Sequence, residues 1–554
     1  MEDGTKPTMQ HVEDRNARFA PEREATTTDG QLAQTVTNDT EKGTKSTYAD
    51  SAAGVELRAE RHKRERRLVR KQDFVILPLA VFLYLSAYLD RGNLGAARLQ
   101  GLQKEVLDNS DNKYSIALSC FFITYIVFSI PGTLLAKAIN PSTSISIGAL
   151  IWSTAATCQA AAQTPRGLYT ARLFVGLGEA MFGQAMAFHL TSVFHLKRLG
   201  QKKTEMLICS NFENSLWYTK KELAKRVGLF ISAGATAGAF SGLIAYGVAH
   251  IHSAKMEQWR ILFLMQVWKI EGLPSLALAV VVFFCLPPRP STSKFLNEDE
   301  RTLAHTRLNE QSSYEASSGI EWSGVRHAFF DWKTYAFAVM YSCMNLTLGS
   351  VGGFLPTIIK GLGYSNANAQ LFSVPPYVVA LAFMLLLSSF SDRKQTRGLP
   401  VASVFIIGII GWTLLLAIPA HHATHTQLHV RYFGCICIVT AGYSAIPLII
   451  SWVSANTGTE SQRAVSLGML NTIGQCLSVL AAFSFPSKQG PQYRKGIIIN
   501  LAFEALGFGM AIGLSLYFQW ENKRRERLEG EPQKGVTLNT HEDYDHAEGF
   551  RYVV

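Results

Sequence analysis

The sequence predicts an all-α integral membrane protein of twelve transmembrane helices, arranged as two halves of six helices each. Apolar stretches recur between residues 73 and 520, and 48% of the chain is hydrophobic. Each stretch is long enough to cross a hydrocarbon core of about 30 Å at about 1.5 Å per residue. Both ends of the chain are polar, and a long polar stretch, 287–331, separates the first six apolar segments from the last six.

Residues 1–72 are predicted to form a disordered cytoplasmic tail. Residues 1–58 are rich in Thr, Asp, Glu, Lys and Gly and poor in aromatic residues, a composition typical of disorder. The basic run 61–71 (RHKRERRLVRK) directly precedes the first apolar segment. Because Lys and Arg beside a membrane span stay on the cytoplasmic side, this run predicts a cytoplasmic amino terminus. Nuclear localisation and binding to anionic lipid headgroups are the alternative interpretations of the same run.

The first half of the predicted bundle covers residues 73–286 and is followed by a cytoplasmic central loop, 287–331. Its six predicted helices occupy 74–96, 113–137, 144–163, 167–194, 226–251 and 259–286. In the central loop, Asn297 is followed by Glu300 at the start of a charged run, the pattern of a capping box. This pattern predicts a short helix on the cytoplasmic surface.

The second half covers residues 332–520 and ends in a cytoplasmic tail, 521–554. Its six predicted helices occupy 334–360, 368–391, 399–420, 430–454, 464–485 and 497–519. Twelve spans return the chain to the side on which it began. The basic clusters agree, because they all fall on that side: 61–71, 197–203, 220–226, 393–397 and 523–527. Both termini are therefore expected in the cytoplasm of a multi-pass protein. The expected location is the plasma membrane.

Several other classes of protein are disfavoured by the sequence. The net charge of +11 does not indicate nucleic-acid binding, because the basic residues cluster in the tails and in loops between predicted helices. Metal binding is the less favoured interpretation of a histidine group that lacks Cys or acidic neighbours, namely His421, His422, His425 and His429. No phosphate-binding Gly-rich loop, HExxH motif or nucleophile elbow occurs, so neither a cofactor nor an enzymatic activity is expected.

Charged residues inside predicted helices mark the candidate site. Asp90 and Arg91 follow sixteen uncharged residues, 74–89. A charge inside a membrane costs about 2.5–3.5 kcal/mol, so such residues usually face a cavity and mark a substrate or proton path. Arg172 falls at a similar predicted depth in the fourth helix, which makes an Asp90–Arg172 ion pair feasible. Glu179 lies two turns from Arg172 on the same helical face.

Motifs along the chain then point to a family. Residues 89–95 (LDRGNLG) and 172–180 (RLFVGLGEA) resemble the first-helix signature DRxNxG and the fourth-helix motif of the anion:cation symporter family, a branch of the major facilitator superfamily. Further matches lie before the fifth helix, in the sixth helix, in the central loop and in the eighth helix, at Trp217–Arg226, Ile270–Pro274, Lys294–Arg301 and Val374–Tyr377. The resemblance covers residues 74–520 and is closest to fungal allantoate, nicotinate and pantothenate permeases.

The resemblance implies roles for the charged residues. In related symporters the arginine beside the first-helix aspartate binds the substrate carboxylate, which points to Arg91. The aspartate and the fourth-helix Arg/Glu pair couple protons, which points to Asp90, Arg172 and Glu179. Tyr88 matches a tyrosine of the family that faces the ligand. In the alternative interpretation the two arginines snorkel to the membrane interface and Glu179 is a structural buried acid.

Outside this charged group, polar side chains are the candidates to bind the rest of a substrate. They are Tyr125 in the second predicted helix, Tyr341 and Asn345 in the seventh, and Tyr443 in the tenth. Core packing is an equally good interpretation of each. Glu504 in the twelfth predicted helix is the main acid within the second half, and it is either packed against other helices or exposed to lipid.

Two stretches interrupt the resemblance. Residues 195–214 stand between the fourth predicted helix and Trp217–Tyr218, which in the family follow that helix almost directly. Residues 265–269 (MQVWK) split what resembles a continuous FLIEGLPS sequence, and they place Lys269 inside the sixth predicted helix. Both stretches are either retained introns in the gene sequence or real insertions.

The layout and the resemblance together imply a proton-coupled symporter that imports a small organic anion by alternating access. A vitamin or a ureido carboxylate is the expected substrate. The expected partners are this anion, the proton and the lipid bilayer, with no nucleic acid, and the protein is expected to be a monomer. Two alternatives remain open, an exporter of an anionic metabolite and a non-transporting nutrient sensor on the same fold.

Overall fold

Each predicted transmembrane segment contains a helix or a pair of helices in the computed structural model of the chain. The structure describes residues 52–139, 141–191, 220–251, 257–265, 272–286, 293, 295–312, 322–420, 424–530 and 544–554. These residues contain no β-strand, in agreement with the all-α prediction. The chain divides into two units, Met1–Arg64 and Glu65–Val554, and every contact described below lies within the second.

The helices follow the predicted order of two halves and a central stretch. In the first half they are α1 Ala52–Ala97, α2 Asp111–Ile139, α3 Pro141–Gln159, α4 Pro165–Thr191, α5 Lys220–Ala249, α6 Gln258–Met265 and α7 Gly272–Cys285. The central stretch forms α8 Glu298–Ser312 and α9 Trp322–Phe330. In the second half they are α10 Trp332–Lys360, α11 Asn366–Leu371, α12 Val374–Lys394, α13 Gly398–Ala417, α14 His425–Ala455, α15 Glu460–Gly474, α16 Cys476–Ala482 and α17 Arg494–Glu529.

The membrane character of these helices agrees with the prediction. Within the described residues, eight helical segments are long and apolar enough to cross a membrane, and they correspond to the first, fifth and seventh to twelfth predicted spans. The other four predicted spans are also helical, as α2, α3, α4 and the pair α6 and α7. Residues 266–271, between α6 and α7, lie outside the described residues. The interruption predicted at 265–269 therefore falls there, except for Met265, which ends α6.

The first helix is longer than predicted. Because α1 begins at Ala52, the prediction of disorder is wrong for residues 52–72, while residues 1–51 lie outside the described part. Residues 52–72 are rich in Ala, Leu, Glu, Arg and Lys, which favour helix. They also lead without a break into the first apolar segment, so the helix extends across both parts.

The predicted surface helix of the central stretch is present as α8. The Asn297 backbone N–H donates to Glu300 Oε2 at 3.0 Å, which is one of the two hydrogen bonds of a capping box. Glu300 also pairs with Lys71 Nζ at 2.7 Å. The central stretch is thus joined to α1.

Helices within the first half approach closely at glycine. A Cβ placed on Gly178 of α4 would lie 2.6 Å from the Gly148 carbonyl oxygen of α3, so a larger residue would push the two backbones apart. Small residues at such crossings are typical of helix packing in membranes. This packing fixes the position of α4, which carries two of the candidate site residues.

The two halves contact each other at the end of the bundle where α1 finishes and α17 begins. Arg98 Nη2 donates to Asp111 Oδ1 and to Ser487 Oγ, each at 2.8 Å. The Ser487 N–H and hydroxyl donate to Asp111 at 2.7 and 2.6 Å. Tyr114 Oη donates to the Gly353 carbonyl at 3.0 Å. We call the first three residues the far-end contact, because they join the halves at the end remote from the start of α1.

Residues 544–554, here called the docked tail, fold back onto the second half. Asp545 is fully buried, and its carboxylate pairs with Lys333 Nζ at 2.7 Å and with His327 Nε2 at 2.9 Å. The Tyr552 hydroxyl donates to the same carboxylate at 2.8 Å. Burial acts to raise the pKa of Asp545, but the hydrogen bonds and the Lys333 charge hold that pKa well below its usual value. The tail is therefore anchored by an ionised acid.

Candidate functional site

The centre of the candidate site is a buried ion pair between two helices of the first half, formed by Arg91 of α1 and Glu179 of α4. Arg91 Nε donates to Glu179 Oε2 at 2.6 Å. The Glu179 side chain is 1% exposed, whereas that of Arg91 is 22% exposed. Within the described residues Arg91 makes no second ion pair. Its two terminal nitrogens thus have no carboxylate partner among these residues, and their fork geometry suits a carboxylate.

Aromatic rings of the first half surround the Arg91 guanidinium. Its Cζ lies 4.7 Å from the ring centroid of Tyr88, 5.0 Å from that of Phe121 and 5.1 Å from that of Tyr125. At these distances the faces of the rings attract the cation. The rings stabilise the charge without neutralising it, so the cation can still bind an anion.

Asp90 and Arg172 complete a group of four charges with Arg91 and Glu179. Both are buried, and the charges of Asp90, Arg172 and Glu179 interact. The Nε and Nη1 nitrogens of Arg172 and the Oε1 oxygen of Glu179 have no hydrogen-bond partner. Buried polar atoms nearly always have a hydrogen-bond partner. The unpaired atoms of Arg172 and Glu179 could therefore form hydrogen bonds in another conformation of the protein.

The structure corrects the predicted pairing within this group. Neither Asp90 nor Arg172 forms an ion pair in the part of the chain that the structure describes, and Glu179 pairs with Arg91 instead. Successive residues of a helix point about 100° apart, so Asp90 and Arg91 leave α1 in different directions, and Arg91 is the one that reaches Glu179 of α4.

Residues of the second half also lie near Arg91. Tyr341 of α10 and Tyr443 of α14 are buried, and each interacts electrostatically with Tyr88 and Arg91. Asn345 lies beside Tyr341, one turn further along α10. The structure thus brings together the six residues predicted to contact substrate, namely Tyr88, Arg91, Tyr125, Tyr341, Asn345 and Tyr443. Their role in binding stays a prediction.

Sequence reasoning missed three aromatic residues of the site. Phe121 contacts both Arg91 and Arg172, and Tyr84 donates from its hydroxyl to the Tyr88 hydroxyl at 3.1 Å. Tyr377 of α12 packs edge-on against the ring of Tyr443, with centroids 5.6 Å apart. Phe121 and Tyr84 each precede a predicted site residue by four positions, so helical periodicity could have indicated them. No comparable signal in the sequence pairs α12 with α14.

Glu504 lies apart from this site and is packed among helices of the second half. It is buried, and Thr347 Oγ1 donates to its Oε1 at 2.6 Å. Its other oxygen lies against Gly408, where an added Cβ would come within 2.7 Å. Of the two interpretations of this acid, the structure favours packing over exposure to lipid.

One group of potential metal ligands occurs in the described residues, formed by His327, Asp545 and His546 with ligand atoms within 4.8 Å of one another. Asp545 is already paired with Lys333 at 2.7 Å, and this ammonium would repel a metal ion bound to the same carboxylate. His421 and His422 of the histidine group lie outside the described residues.

Comparison with known proteins gives a family match over most of the chain. The sequence model of the Major Facilitator Superfamily matches residues 80–202 and 214–482. The match omits 203–213, which lie within the stretch 195–214 that interrupts the family motifs.

Individual relatives extend this finding. The chain is 31% identical to an uncharacterized transporter of Schizosaccharomyces pombe, over 88% of this chain and 94% of the relative. It is 28% identical to the high-affinity nicotinic acid transporter of Saccharomyces cerevisiae, over 84% of this chain and 80% of the relative. Among solved structures, the partially occluded inward-open xylose transporter XylE from E. coli is similar in fold, with a TM-score of 0.59 and 15% identity over 81% of this chain and 98% of XylE.

Proposed function

Because the chain belongs to the Major Facilitator Superfamily of membrane transporters, we propose that it is a proton-coupled symporter for a small organic anion such as a vitamin or ureido carboxylate. The observation that carries this proposal is the 2.6 Å ion pair between Arg91 and Glu179, in which the Arg91 side chain is partly exposed. A relative named for nicotinic acid, which is a carboxylate, supports an anionic substrate. Uptake across the plasma membrane by a monomer, with both termini cytoplasmic, is part of the same proposal.

Coupling follows from competition for Arg91. When Glu179 is ionised, it neutralises Arg91. A proton on Glu179 removes that charge, and Arg91 then offers a bidentate fork to the substrate carboxylate. A buried cation without a counter-charge is costly, so either ionised Glu179 or the substrate carboxylate neutralises Arg91 at any time. Each anion is thus accompanied by one proton.

Asp90 and Arg172 allow the four charges of the site to pair in a second way. Two nitrogens of Arg172 lack partners, and Glu179 has one oxygen in the same condition. A shift of α1 against α4 can therefore pair Arg172 with either acid. Asp90 is the second candidate proton carrier, because its charge interacts with those of Arg172 and Glu179.

Alternating access requires the far-end contact to open. Arg98 and Asp111 belong to the first half and Ser487 to the second, so their hydrogen bonds hold the two halves together at one end of the bundle. Rocking of one half against the other breaks these bonds and exposes the site to that side. The site lies between the halves, so its aromatic and charged groups can remain close to the substrate during this motion.

The proposal is tested by Glu179→Gln, which mimics the protonated acid permanently. We expect this variant to bind and exchange a labelled monocarboxylate, with nicotinic acid as the first probe, but not to accumulate it against a gradient. Counterflow and pH-driven accumulation are measured in the same preparation of proteoliposomes. Because counterflow needs no net proton movement, it separates a loss of coupling from a loss of binding.

Glu504→Gln is the matched control, since Glu504 is also a buried acid of a transmembrane helix but is hydrogen-bonded to Thr347 rather than to an arginine. This variant should accumulate substrate as the unmodified protein does. Normal accumulation by Glu179→Gln would show that the proton travels elsewhere, and Asp90→Asn would then be the next variant to measure.

A further inference from the structure

We infer that α9, Trp322–Phe330, lies in the surface of the bilayer and binds lipid through one apolar side. This helix belongs to the central stretch, which the sequence predicts to be a cytoplasmic loop. The lipid-binding side is formed by Trp322, Val325 and Phe329, and we call it the apolar side of α9. The inference is independent of the substrate and of proton coupling.

The apolar side of α9 is large and is left uncovered by the protein. Trp322, Val325 and Phe329 are spaced by three and four residues, so their side chains leave the helix on one side. Trp322 is 70% exposed and Phe329 is 47% exposed, while Val325 is half-buried. Because apolar surface in contact with water is unfavourable, this side of the helix requires an apolar neighbour.

The other sides of α9 are occupied by the second half and by the docked tail. Gly324 and Ala328, one turn apart, are buried, and α9 packs against α15. His327 pairs with Asp545 of the docked tail at 2.9 Å. Residues two apart on a helix point about 200° apart, so His327 and Phe329 face opposite ways. The apolar side of α9 is therefore turned away from the tail.

The neighbours of α9 enter the membrane beside it. A single residue, Asp331, separates α9 from α10, and its carboxylate caps α10 by accepting from the Lys333 N–H at 3.1 Å. The helix on which α9 packs, α15, leads into another segment that is long and apolar enough to cross a membrane, 465–482. A hydrogen bond of 3.1 Å between the Thr334 and Ser466 hydroxyls joins α10 to α15 near the starts of both helices. These connections hold α9 at the level where the two spans begin.

Exposed aromatic residues mark the membrane interface at this level. Trp332 of α10 is 51% exposed, and Trp520 of α17 is 59% exposed. Tyr517 packs edge-on against Trp332, with ring centroids 4.9 Å apart, and its ring centroid lies 6.1 Å from that of Trp520. Trp and Tyr are enriched where the hydrocarbon of a membrane meets water. Phe330, which ends α9, is two residues from Trp332, so α9 finishes at this aromatic group.

Basic residues beside the apolar side of α9 favour a lipid surface over a protein as the partner. Arg326 is exposed and follows Val325, and α9 contains no acidic residue. Lys523 and Arg527 of α17 are also exposed, within two turns beyond Trp520. A helix with an apolar side, a basic border and aromatic anchors is typical of helices that lie in a membrane surface. The guanidinium of Arg326 is thus placed to pair with lipid phosphate groups.

The first experiment measures the depth of each side of α9 in the bilayer. Nitroxide labels are placed on the full-length protein by Trp322→Cys, Val325→Cys, Phe329→Cys or Ser323→Cys, in nanodiscs of phosphatidylcholine and phosphatidylserine. Depth is read from the relative accessibility of the label to oxygen and to a water-soluble nickel chelate, after subtraction of the signal from the natural cysteines. The first three labels should lie about 5–10 Å into the boundary between headgroups and acyl chains, and the label at Ser323 should lie in water. Thr302→Cys, on the exposed surface of α8, is the control and should also report water.

The second experiment removes the aromatic anchors. Trp322→Ser combined with Phe329→Ser should move the label at Val325 out of the acyl region and into water, because the apolar side of α9 then has little to bury. Phe284→Ser is the control, since Phe284 of α7 is an equally exposed aromatic residue, at 76%, but lies in another helix. This change should leave the depth of the label at Val325 as it was.

Three results would overturn the inference. Labels at all three apolar positions that lie in water would show that α9 projects away from the membrane. Labels shielded from both oxygen and the nickel chelate would show that protein covers this side of α9, either a second copy of the chain or another partner. An unchanged depth in the double serine variant would show that Trp322 and Phe329 do not hold the helix in place. Val325→Cys is the smallest change on this side and carries the depth test by itself.

Discussion

Arg91→Lys tests the centre of the site, because it keeps the charge and removes the fork. In the structure Arg91 Nε donates to Glu179 at 2.6 Å, and we propose that the other two nitrogens bind the substrate carboxylate. A lysine ammonium can donate to the same acceptors only from a single point. The variant therefore loses one charge-assisted hydrogen bond to the substrate. Such a bond contributes about 1.5–3 kcal/mol, and a loss of about 2 kcal/mol weakens binding about 30-fold.

The assay measures Kd in nanodiscs and KM for counterflow, with the amount of protein at the membrane measured in parallel. Arg260→Lys is the matched control, because two nitrogens of Arg260 also donate to one carboxylate, that of Glu105, away from the site. This control should leave the affinity for substrate unchanged. If Arg91→Lys also binds substrate with normal affinity and reaches the membrane normally, Arg91 does not hold the carboxylate and the reasoning is refuted.

Three other predictions concern stability and folding. Glu504→Ala should lower the melting temperature by several degrees, because it leaves the buried Thr347 hydroxyl without its acceptor at a cost of about 1–3 kcal/mol, whereas Glu504→Gln should keep most of the stability. The depressed pKa of Asp545 means that its contribution is complete above its usual pKa and is lost as pH falls through the depressed value. Limited proteolysis should thus find the tail protected at neutral pH and cleaved in Asp545→Asn, and equal cleavage would contradict the anchoring. A chain lacking both 195–214 and 265–269 should reach the membrane at least as well as the full chain, and a failure to traffic while the full chain transports would show that both stretches are genuine.

The helices could be predicted from sequence because the membrane imposes a simple rule on each segment. A run of apolar residues long enough to cross the bilayer must satisfy its backbone by forming a helix. The start of α1 was predicted too late, because the rule says nothing about a polar helix that continues outside the bilayer. The residue types of 52–72 have high helix propensity. Their high charge nevertheless led to the prediction that they belong to a disordered tail.

The site could be predicted only in part, because depth along a helix is readable from sequence and direction around it is not. Counting residues placed Asp90, Arg91 and Arg172 at similar depths, but it could not decide which of them faces Glu179. Tyr377 was missed for a related reason. Its place beside Tyr443 depends on how α12 packs against α14 and α5, which no short motif specifies.

The docked tail has a consequence for the order in which the protein is made. Each helix that the tail contacts precedes it in the chain, so these helices are synthesised and inserted before Asp545 exists. Until then Lys333 has only Asp331, 3.1 Å away, as a counter-charge among the described residues. Asp545 therefore pairs with Lys333 only after the last helix of the second half is in the membrane. A chain that stops after α17 would insert every helix but could not form this ion pair.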